Sequence, residues 1–118
     1  MDIKELTVGI EEEYQVIDPE TGELTSYIAE FLERDVMLVK DSMVPELLKS
    51  QLEVTSKVCK NIKEARKEVI RLRQLASSYA QENNCNIIAA GTHPYSHWKD
   101  QVLTDKERYH GLYDSMQY

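Results

Sequence analysis

The chain has 118 residues, 42% of them hydrophobic, which suits one domain with a modest core and excludes two ordinary domains. Its 21 acidic and 14 basic residues give a formal net charge of −7, which repels nucleic-acid phosphates and anionic lipid surfaces. No apolar run approaches the roughly 20 residues of a membrane-spanning helix, and the acidic N-terminus is unlike a signal peptide. We therefore expect a cytoplasmic chain that binds neither nucleic acid nor membrane. It should form a single domain, residues 1–118.

The first predicted element is a β-strand over residues 7–17, in which polar and apolar side chains alternate. One face of this strand carries Val8, Ile10, Tyr14 and Val16, and the other carries Thr7, Glu11, Glu13 and Gln15. Glu12 interrupts the apolar face. Residues 18–24, DPETGEL, place Asp, Pro and Gly where a tight turn needs them, and residues 26–32 suit a short helix.

A second strand is predicted over residues 48–56, and a long helix follows it. The apolar face of the strand carries Leu48, Leu52 and Val54. From Asn61 the apolar period becomes helical, with a stripe formed by Ile62, Ala65, Val69, Leu72, Ala76 and Tyr79. Asn61 and Glu64 have the spacing of a capping box, and the pair at residues 83–84 favours a left-handed end to the helix.

The last elements are a short buried strand over residues 87–91, a loop with the sequence GTHPYSHW, and a helix capped by Thr104 that runs to residue 118. Together the elements predict an α+β fold in which helices pack on an antiparallel sheet. Cys59 and Cys85 lack the spacing of a zinc site or a disulfide scaffold, so we expect two buried free thiols.

Three consecutive glutamates in the first strand are the main candidates for a functional site. Glutamate is disfavoured in strands, and like charges repel. Glu11 and Glu13 project to the same face with Cα atoms roughly 6.5 Å apart, a spacing from which two carboxylates can bind hard cations. Gln51 and Glu53 repeat this pattern on the second strand. If both strands share a sheet, the four side chains form one anionic patch suited to Mg²⁺; the alternative is a solvated outer face.

The loop at residues 93–98, HPYSHW, holds two of the three histidines and the only tryptophan, directly after a predicted strand end where substrate loops often lie. His93 and His97 have the spacing of a helical metal pair, but Pro94 makes helical geometry improbable there. No further ligand follows at a suitable spacing, so we expect no zinc site. The alternative is a turn packed by its own aromatic residues.

Five sequence motifs resemble the N-terminal part of the carboxylate-amine ligases of the type 2 glutamate-cysteine ligase family: TVGIEEEYQVIDPETGEL, PELLKSQLEVTSKVC, a helix containing EAR, AAGTHPYSHW and DKERY. The resemblance runs from about Thr7 to the last residue. It implies a glutamine-synthetase-like fold and an ATP- and Mg²⁺-dependent ligase. Such an enzyme activates a small-molecule carboxylate as an acyl phosphate and couples it to an amine.

Carried over onto the matching positions, the resemblance implies that the metal-binding carboxylates are Glu11, Glu13 and Glu53. It places Gln51, His93 and Trp98 on the substrate side. Members of the family are considerably longer and continue into a CGxHVHV-type strand and further ATP-contacting segments, which this chain lacks. We therefore expect an N-terminal fragment or half of a split protein, inactive alone, that forms a homo-oligomer or binds a complementing chain.

A second hypothesis belongs to a different class of protein. The chain would then be a non-catalytic binding or regulatory module derived from the ligase fold, docking another polypeptide through its sheet face or its long helix. Protection of the glutamate strands by nucleotide would favour the ligase. Tight association with another polypeptide, without any response to Mg²⁺, would favour the module.

Overall fold

The computed structural model describes residues 6–26 and 42–116. Within these ranges it contains four β-strands and two α-helices. They are β1 (Glu11–Ile17), β2 (Met43–Pro45), β3 (Gln51–Thr55), α1 (Ile62–Glu82), β4 (Asn86–Ile88) and α2 (Glu107–Ser115). The helix predicted over residues 26–32 lies outside the described residues except for Ser26.

The four strands form one sheet in the order β2-β3-β1-β4, and every neighbouring pair is antiparallel. β1 and β3 pair over five residues, with Glu13 opposite Glu53 at the centre. Helix α1 packs on one face of this sheet. The predicted α+β class, an antiparallel sheet with packed helices, is therefore confirmed.

The two longer predicted strands are present but shorter than their patterns indicated. Before β1, Val8 forms only an isolated bridge with Cys59. β3 begins at Gln51 because the backbone turns just before it, with the Gln51 N–H donating to the Leu48 carbonyl at 2.8 Å. The predicted buried strand at residues 87–91 is instead β4, a half-buried edge strand.

β2 is a strand that the sequence analysis did not predict. It is three residues long and pairs with β3, placing Val44 opposite Glu53 and Pro45 opposite Leu52. The Pro45 carbonyl accepts a hydrogen bond from Lys106 Nζ at 3.4 Å. A strand this short, ending in proline, has too little alternation to be recognised from sequence.

The core lies between α1 and the sheet. Its buried residues are Tyr14, Val16, Met43, Leu52, Val54, Leu72, Ala76, Ala80 and Cys85. Both cysteines are buried free thiols, as predicted. The predicted helix stripe needs two corrections: Ile62 is 71% exposed in the first turn, and Glu68, absent from the stripe, is only 4% exposed. Glu68 tolerates burial because Arg71 binds its carboxylate through Nε and Nη2 at 3.1 and 2.6 Å.

The ends of α1 follow the predicted capping residues. The Asn61 side chain accepts a hydrogen bond from the Glu64 N–H at 3.0 Å. Glu64 completes the cap by accepting from the Lys60 N–H, one residue before the position that a standard capping box uses. At the other end Asn84 has φ 55°, the left-handed conformation predicted for the helix stop.

The predicted cap of the last helix is wrong. α2 begins at Glu107 with Lys106 at the N-cap position, and no side chain caps it. The Thr104 hydroxyl instead donates to the Glu46 carbonyl, in a contact that ties the segment before α2 to the end of β2. Neither described helix is both long and apolar enough to cross a membrane.

Candidate metal centre

Glu13 and Glu53 face each other at the centre of the β1–β3 pair. The Val16 N–H donates to the Ser50 carbonyl, and the Ser56 N–H donates to the Ile10 carbonyl. Hydrogen-bonded and non-hydrogen-bonded pairs alternate along an antiparallel ladder, so the Glu13–Glu53 pair is of the non-hydrogen-bonded kind. Cα atoms in such pairs are about 4.5 Å apart, the closest that opposing strands place two side chains.

Glu46 is a third carboxylate in this position, and the sequence analysis missed it. One carboxylate oxygen each from Glu13, Glu46 and Glu53 lies within 4.8 Å of the other two. Glu46 follows β2, and its backbone N–H donates to the Gln51 carbonyl, which sets its side chain beside the β3 glutamate. Its sequence context, a lone acidic residue in PELL, carries no periodic signal. Only the unpredicted β2 strand brings it next to β3.

Two neighbours orient the Glu46 side chain. Oε2 accepts a hydrogen bond from the Leu47 N–H at 2.7 Å, and Oε1 accepts one from the Tyr109 hydroxyl at 3.4 Å. Tyr109 is a buried residue of α2, and burial together with Glu46 raises the pKa of its phenol. The phenol therefore stays a neutral donor, and it links α2 to the carboxylate cluster.

The electrostatics of the cluster are unfavourable without a cation. Partial burial raises the pKa of Glu53, and the charges of Glu46 and Glu11 raise it further. The Thr55 hydroxyl, which donates to Glu53 Oε1 at 3.3 Å, opposes this effect. Burial and the neighbouring carboxylates thus disfavour the ionised form of Glu53, and a cation beside it would offset this cost.

Glu11 lies on the same face of β1 as Glu13, opposite Thr55. It is not one of the three residues whose oxygens come within 4.8 Å of one another. The register therefore places all three predicted metal residues on one face of one sheet. Glu11 lies two residues from Glu13, which is at the centre of the strand pair. Metal binding by Glu11, Glu13 and Glu53 itself stays a prediction.

Two glutamines extend this face beyond the glutamates. Gln51 is paired with Gln15 across β1 and β3, and its Oε1 accepts the Leu48 N–H at 3.2 Å. Gln15 is 6% exposed, and its Oε1 has no hydrogen-bond partner among the described residues. The predicted substrate residue Gln51 thus has its carbonyl oxygen engaged in a turn, while its position on the glutamate face is as expected.

His93 connects the loop after β4 to the turn after β1. Its Nδ1 accepts the Ser96 N–H at 3.0 Å, so the ring proton is on Nε2, which donates to the Gly22 carbonyl at 2.9 Å. The Tyr95 hydroxyl donates to the Thr21 carbonyl at 2.9 Å in the same contact. Gly22 has φ 71°, a conformation that favours glycine in this turn. Both ring nitrogens of His93 are therefore occupied.

Trp98, the third predicted substrate residue, begins a short 3₁₀ helix and is 54% exposed. His97 caps this helix, its Nδ1 accepting the Lys99 N–H at 3.2 Å. Trp98 contributes to an apolar groove of about 550 Å³ whose other lining residues are Leu47, Leu48, Lys99, Leu112, Tyr113 and Met116. This groove adjoins the segment that carries Glu46, since Leu47 is the residue after it.

The chain belongs to glutamate-cysteine ligase family 2, whose family model matches residues 7–118. The family is named for a ligase, and this member of it carries three clustered carboxylates on one face of an antiparallel sheet. The resemblance drawn from the five motifs is confirmed.

Several bacterial relatives carry the name "putative glutamate–cysteine ligase 2". The Roseiflexus sp. (strain RS-1) protein is 49% identical over 111 residues, covering 94% of this chain and 29% of the relative. The Herpetosiphon aurantiacus protein is 48% identical over 111 residues with the same coverage. The Sorangium cellulosum protein is 41% identical over 115 residues, covering 96% of this chain and 31% of the relative. The chain therefore spans less than a third of the length of these relatives.

Proposed function

We propose that this chain forms the N-terminal part of an ATP- and Mg²⁺-dependent ligase that joins a small carboxylate to an amine. The carboxylate takes the terminal phosphoryl group of ATP and becomes an acyl phosphate, with release of ADP. The amine then attacks the acyl carbon and loses a proton, and inorganic phosphate leaves as the amide bond forms. Membership in glutamate-cysteine ligase family 2 supports the ligase class. The single observation that carries the rest is the cluster of Glu13, Glu46 and Glu53 on one sheet face.

The donor set of this cluster suits magnesium. Carboxylate oxygens are hard ligands, and the ligand oxygens of one octahedral magnesium lie within about 4.2 Å of one another. The three oxygens are within 4.8 Å here, so small side-chain rotations meet that requirement. Burial and the charge of Glu46 raise the pKa of Glu53, and a bound cation would offset both effects.

Each residue has a defined part in this proposal. Glu13 and Glu53 hold the cation from opposing strands, and Glu46 closes the set from the end of β2. Glu11 lies on the same face of β1, two residues from Glu13, and adds negative charge near the cation. Bound magnesium offsets the charge of phosphate oxygens during phosphoryl transfer. Strand pairing sets the spacing of the three carboxylates, since β1 and β3 each carry one and the third follows β2 directly.

The substrate side is proposed to lie along the same face. Gln51 lies on that face two residues from Glu53, and Trp98 and Leu47 both line the apolar groove. His93 acts indirectly in this scheme, because its ring nitrogens fix the loop at residues 93–98 against the turn at residues 18–24.

Titration of the 118-residue chain with Mn²⁺, followed by electron paramagnetic resonance, tests the proposal. Mn²⁺ shares the oxygen ligands and octahedral geometry of Mg²⁺. Glu53→Gln and Glu13→Gln are expected to weaken binding by about tenfold or more, since an amide is a poorer ligand for a hard dication. The matched control is Glu20→Gln, which changes an exposed residue in the turn after β1. Equal affinity in all four proteins would contradict the metal centre.

Competition by Mg²⁺ extends this test. The proposal expects Mg²⁺ to displace Mn²⁺ from the three carboxylates. The binding-module hypothesis finds support in the apolar groove, which leaves Trp98 and Met116 more than half exposed. That hypothesis predicts no response to either ion.

A further inference from the structure

Glu12 is a carboxylate on the face of β1 that turns toward helix α1. It lies opposite Val54, between positions on that face that are otherwise apolar. Tyr14, two residues further along the same face, is only 4% exposed. A carboxylate in such a row would favour a rotation of the strand that returns it to water, unless a partner holds it. Glu12 has such a partner.

Arg73 of α1 binds Glu12 across a sequence separation of 61 residues. Its Nε lies 3.1 and 3.0 Å from the two carboxylate oxygens, and its Nη2 also contacts Oε1. The Tyr14 hydroxyl donates to Glu12 Oε2 at 2.6 Å. The hydrogen bonds from Arg73 hold the pKa of Glu12 below its ordinary value, and burial raises the pKa of Tyr14 to about 12. Near neutral pH, Glu12 is therefore ionised and Tyr14 keeps its proton, so Glu12 accepts from both Tyr14 and Arg73.

Glu12 stands between Glu11 and Glu13, the two strand residues proposed to face the metal. Side chains alternate along a strand, so fixing Glu12 toward the helix fixes Glu11 and Glu13 toward the opposite face. We propose that Arg73 is a positioning residue of the metal centre, which holds Glu13 opposite Glu53 by binding Glu12 from the other side of the sheet. This inference rests on the proposed function, and it concerns a residue that does not touch the metal.

The positioning role can be separated from a simple effect of charge. Arg73 carries a positive charge on the far side of the sheet, so its removal would by Coulomb's law alone make the cluster more attractive to a cation. Loss of positioning has the opposite sign, because Glu13 would leave its place opposite Glu53. The direction of the change in cation affinity therefore distinguishes the two.

The experiment compares the wild-type 118-residue chain with Arg73→Ala, Arg73→Lys and Arg66→Ala. Arg66→Ala is the matched control, since it removes one positive charge from an exposed position of the same helix. The first measurement is the Mn²⁺ affinity of the folded protein by electron paramagnetic resonance. The second is the cross-strand nuclear Overhauser effect between the Hα atoms of Glu13 and Glu53, recorded without metal. This signal is strong when Glu13 lies opposite Glu53 and does not depend on metal binding.

Arg73→Ala is expected to weaken Mn²⁺ binding by about fivefold and to reduce the cross-strand signal. Arg73→Lys keeps the charge but loses the two-nitrogen contact, so we expect an intermediate result in both measurements. Arg66→Ala should match the wild type. If Arg73→Ala does not fold, the comparison of Arg73→Lys with Arg66→Ala decides.

An unchanged cross-strand signal, or an unchanged or tighter Mn²⁺ affinity in the Arg73 variants, would overturn the positioning role. Failure of the proposed function has a different signature, because the wild-type chain would then bind no Mn²⁺. In that case the cross-strand signal alone decides whether Arg73 holds Glu13 opposite Glu53.

Discussion

Glu13 and Glu53 oppose each other across two adjacent antiparallel strands, in the class of pair whose side chains lie closest. Like charges in this arrangement destabilise a sheet. A sequence selected for stability alone would place opposite charges or apolar residues here. The pair is therefore better explained by what the two carboxylates bind together than by the stability of the strands.

The first prediction concerns Glu53→Gln in the metal-free chain. The folded pKa of Glu53 is raised above its ordinary value of 4.5, so its ionisation costs stability as the pH rises above 4.5, and the full cost is present above the raised pKa. The variant should be as stable as the wild type or more stable at pH 7. Urea unfolding in the presence of a chelator at pH 4 and pH 7 measures this. A variant that is clearly less stable at pH 7 would contradict the prediction.

The second prediction concerns Arg71→Ala. It leaves the Glu68 side chain, 5% exposed, with Lys57 at 4.0 Å as its remaining ion-pair partner. We expect a loss of about 1–2 kcal/mol at pH 7, modest because Arg71 is itself half exposed. Arg71 lowers the pKa of Glu68, so this stability is present above 4.5 and is lost as the pH falls through the lowered folded pKa.

Urea unfolding at several pH values tests this second prediction, with Arg66→Ala as the control. The difference between the wild type and Arg71→Ala should shrink in acid. A difference that stays constant from pH 7 to pH 3 would show that the guanidinium stabilises the helix by packing and not through Glu68.

The third prediction concerns His93→Ala, which removes hydrogen bonds to Gly22 and Ser96 at once. We expect a loss of about 1–2 kcal/mol and faster hydrogen exchange at the Ser96 amide. His110→Ala is the matched control, because His110 is exposed and its side chain, among the described residues, pairs with the nearby surface residue Asp105 alone. Equal exchange rates at the Ser96 amide in the two variants would show that His93 does not hold the loop at residues 93–98 against the turn at residues 18–24.

The fourth prediction is that His93 and His97 bind no zinc. Nδ1 of each ring accepts a backbone N–H group, and Nε2 of His93 donates to a carbonyl. A zinc ligand needs a free nitrogen lone pair. Elemental analysis of protein purified without added metal should give far less than one zinc per chain. Stoichiometric zinc that disappears in His97→Ala would refute this prediction.

The fifth prediction is that the 118-residue chain alone catalyses no ligation. More than two thirds of the length of its relatives lies outside the matched region. Incubation of the pure chain with ATP, Mg²⁺, glutamate and an amine should release no ADP above the rate without glutamate. Glutamate-stimulated ADP release by the pure chain would overturn the expectation.

The elements with strong local patterns were predictable from the sequence. Alternation in β1 and β3 fixed which glutamates share a face, because the side-chain period of a strand is two. Asn61 and Asn84 marked both ends of α1, because capping depends on residues adjacent in sequence. Predicting the glutamate face therefore required only one further fact, namely that the two strands pair with each other.

Other features depended on contacts between distant residues. Glu46 joins the cluster because β2 pairs with β3, which no pattern in three residues could indicate. Glu68 is buried through its pairing with Arg71, so its polarity misled the prediction of the helix stripe. Thr104 has the chemistry of a cap, but its hydroxyl bonds Glu46, 58 residues away in sequence.

The two outer strands of the sheet differ in what they offer to a further strand. Residues 46 and 42 hydrogen-bond to β3, so the intervening backbone groups of Met43 and Pro45 point away from it. Proline has no N–H to donate outward, and its outward carbonyl already accepts Lys106 Nζ. Within the described residues, the Pro45 end of β2 thus offers an added strand neither an N–H group nor a free carbonyl, whereas β4 has no proline. An additional strand, from this chain or another, is expected to extend the sheet next to β4, which places the carboxylate cluster nearer to the β2 edge than to the growing one.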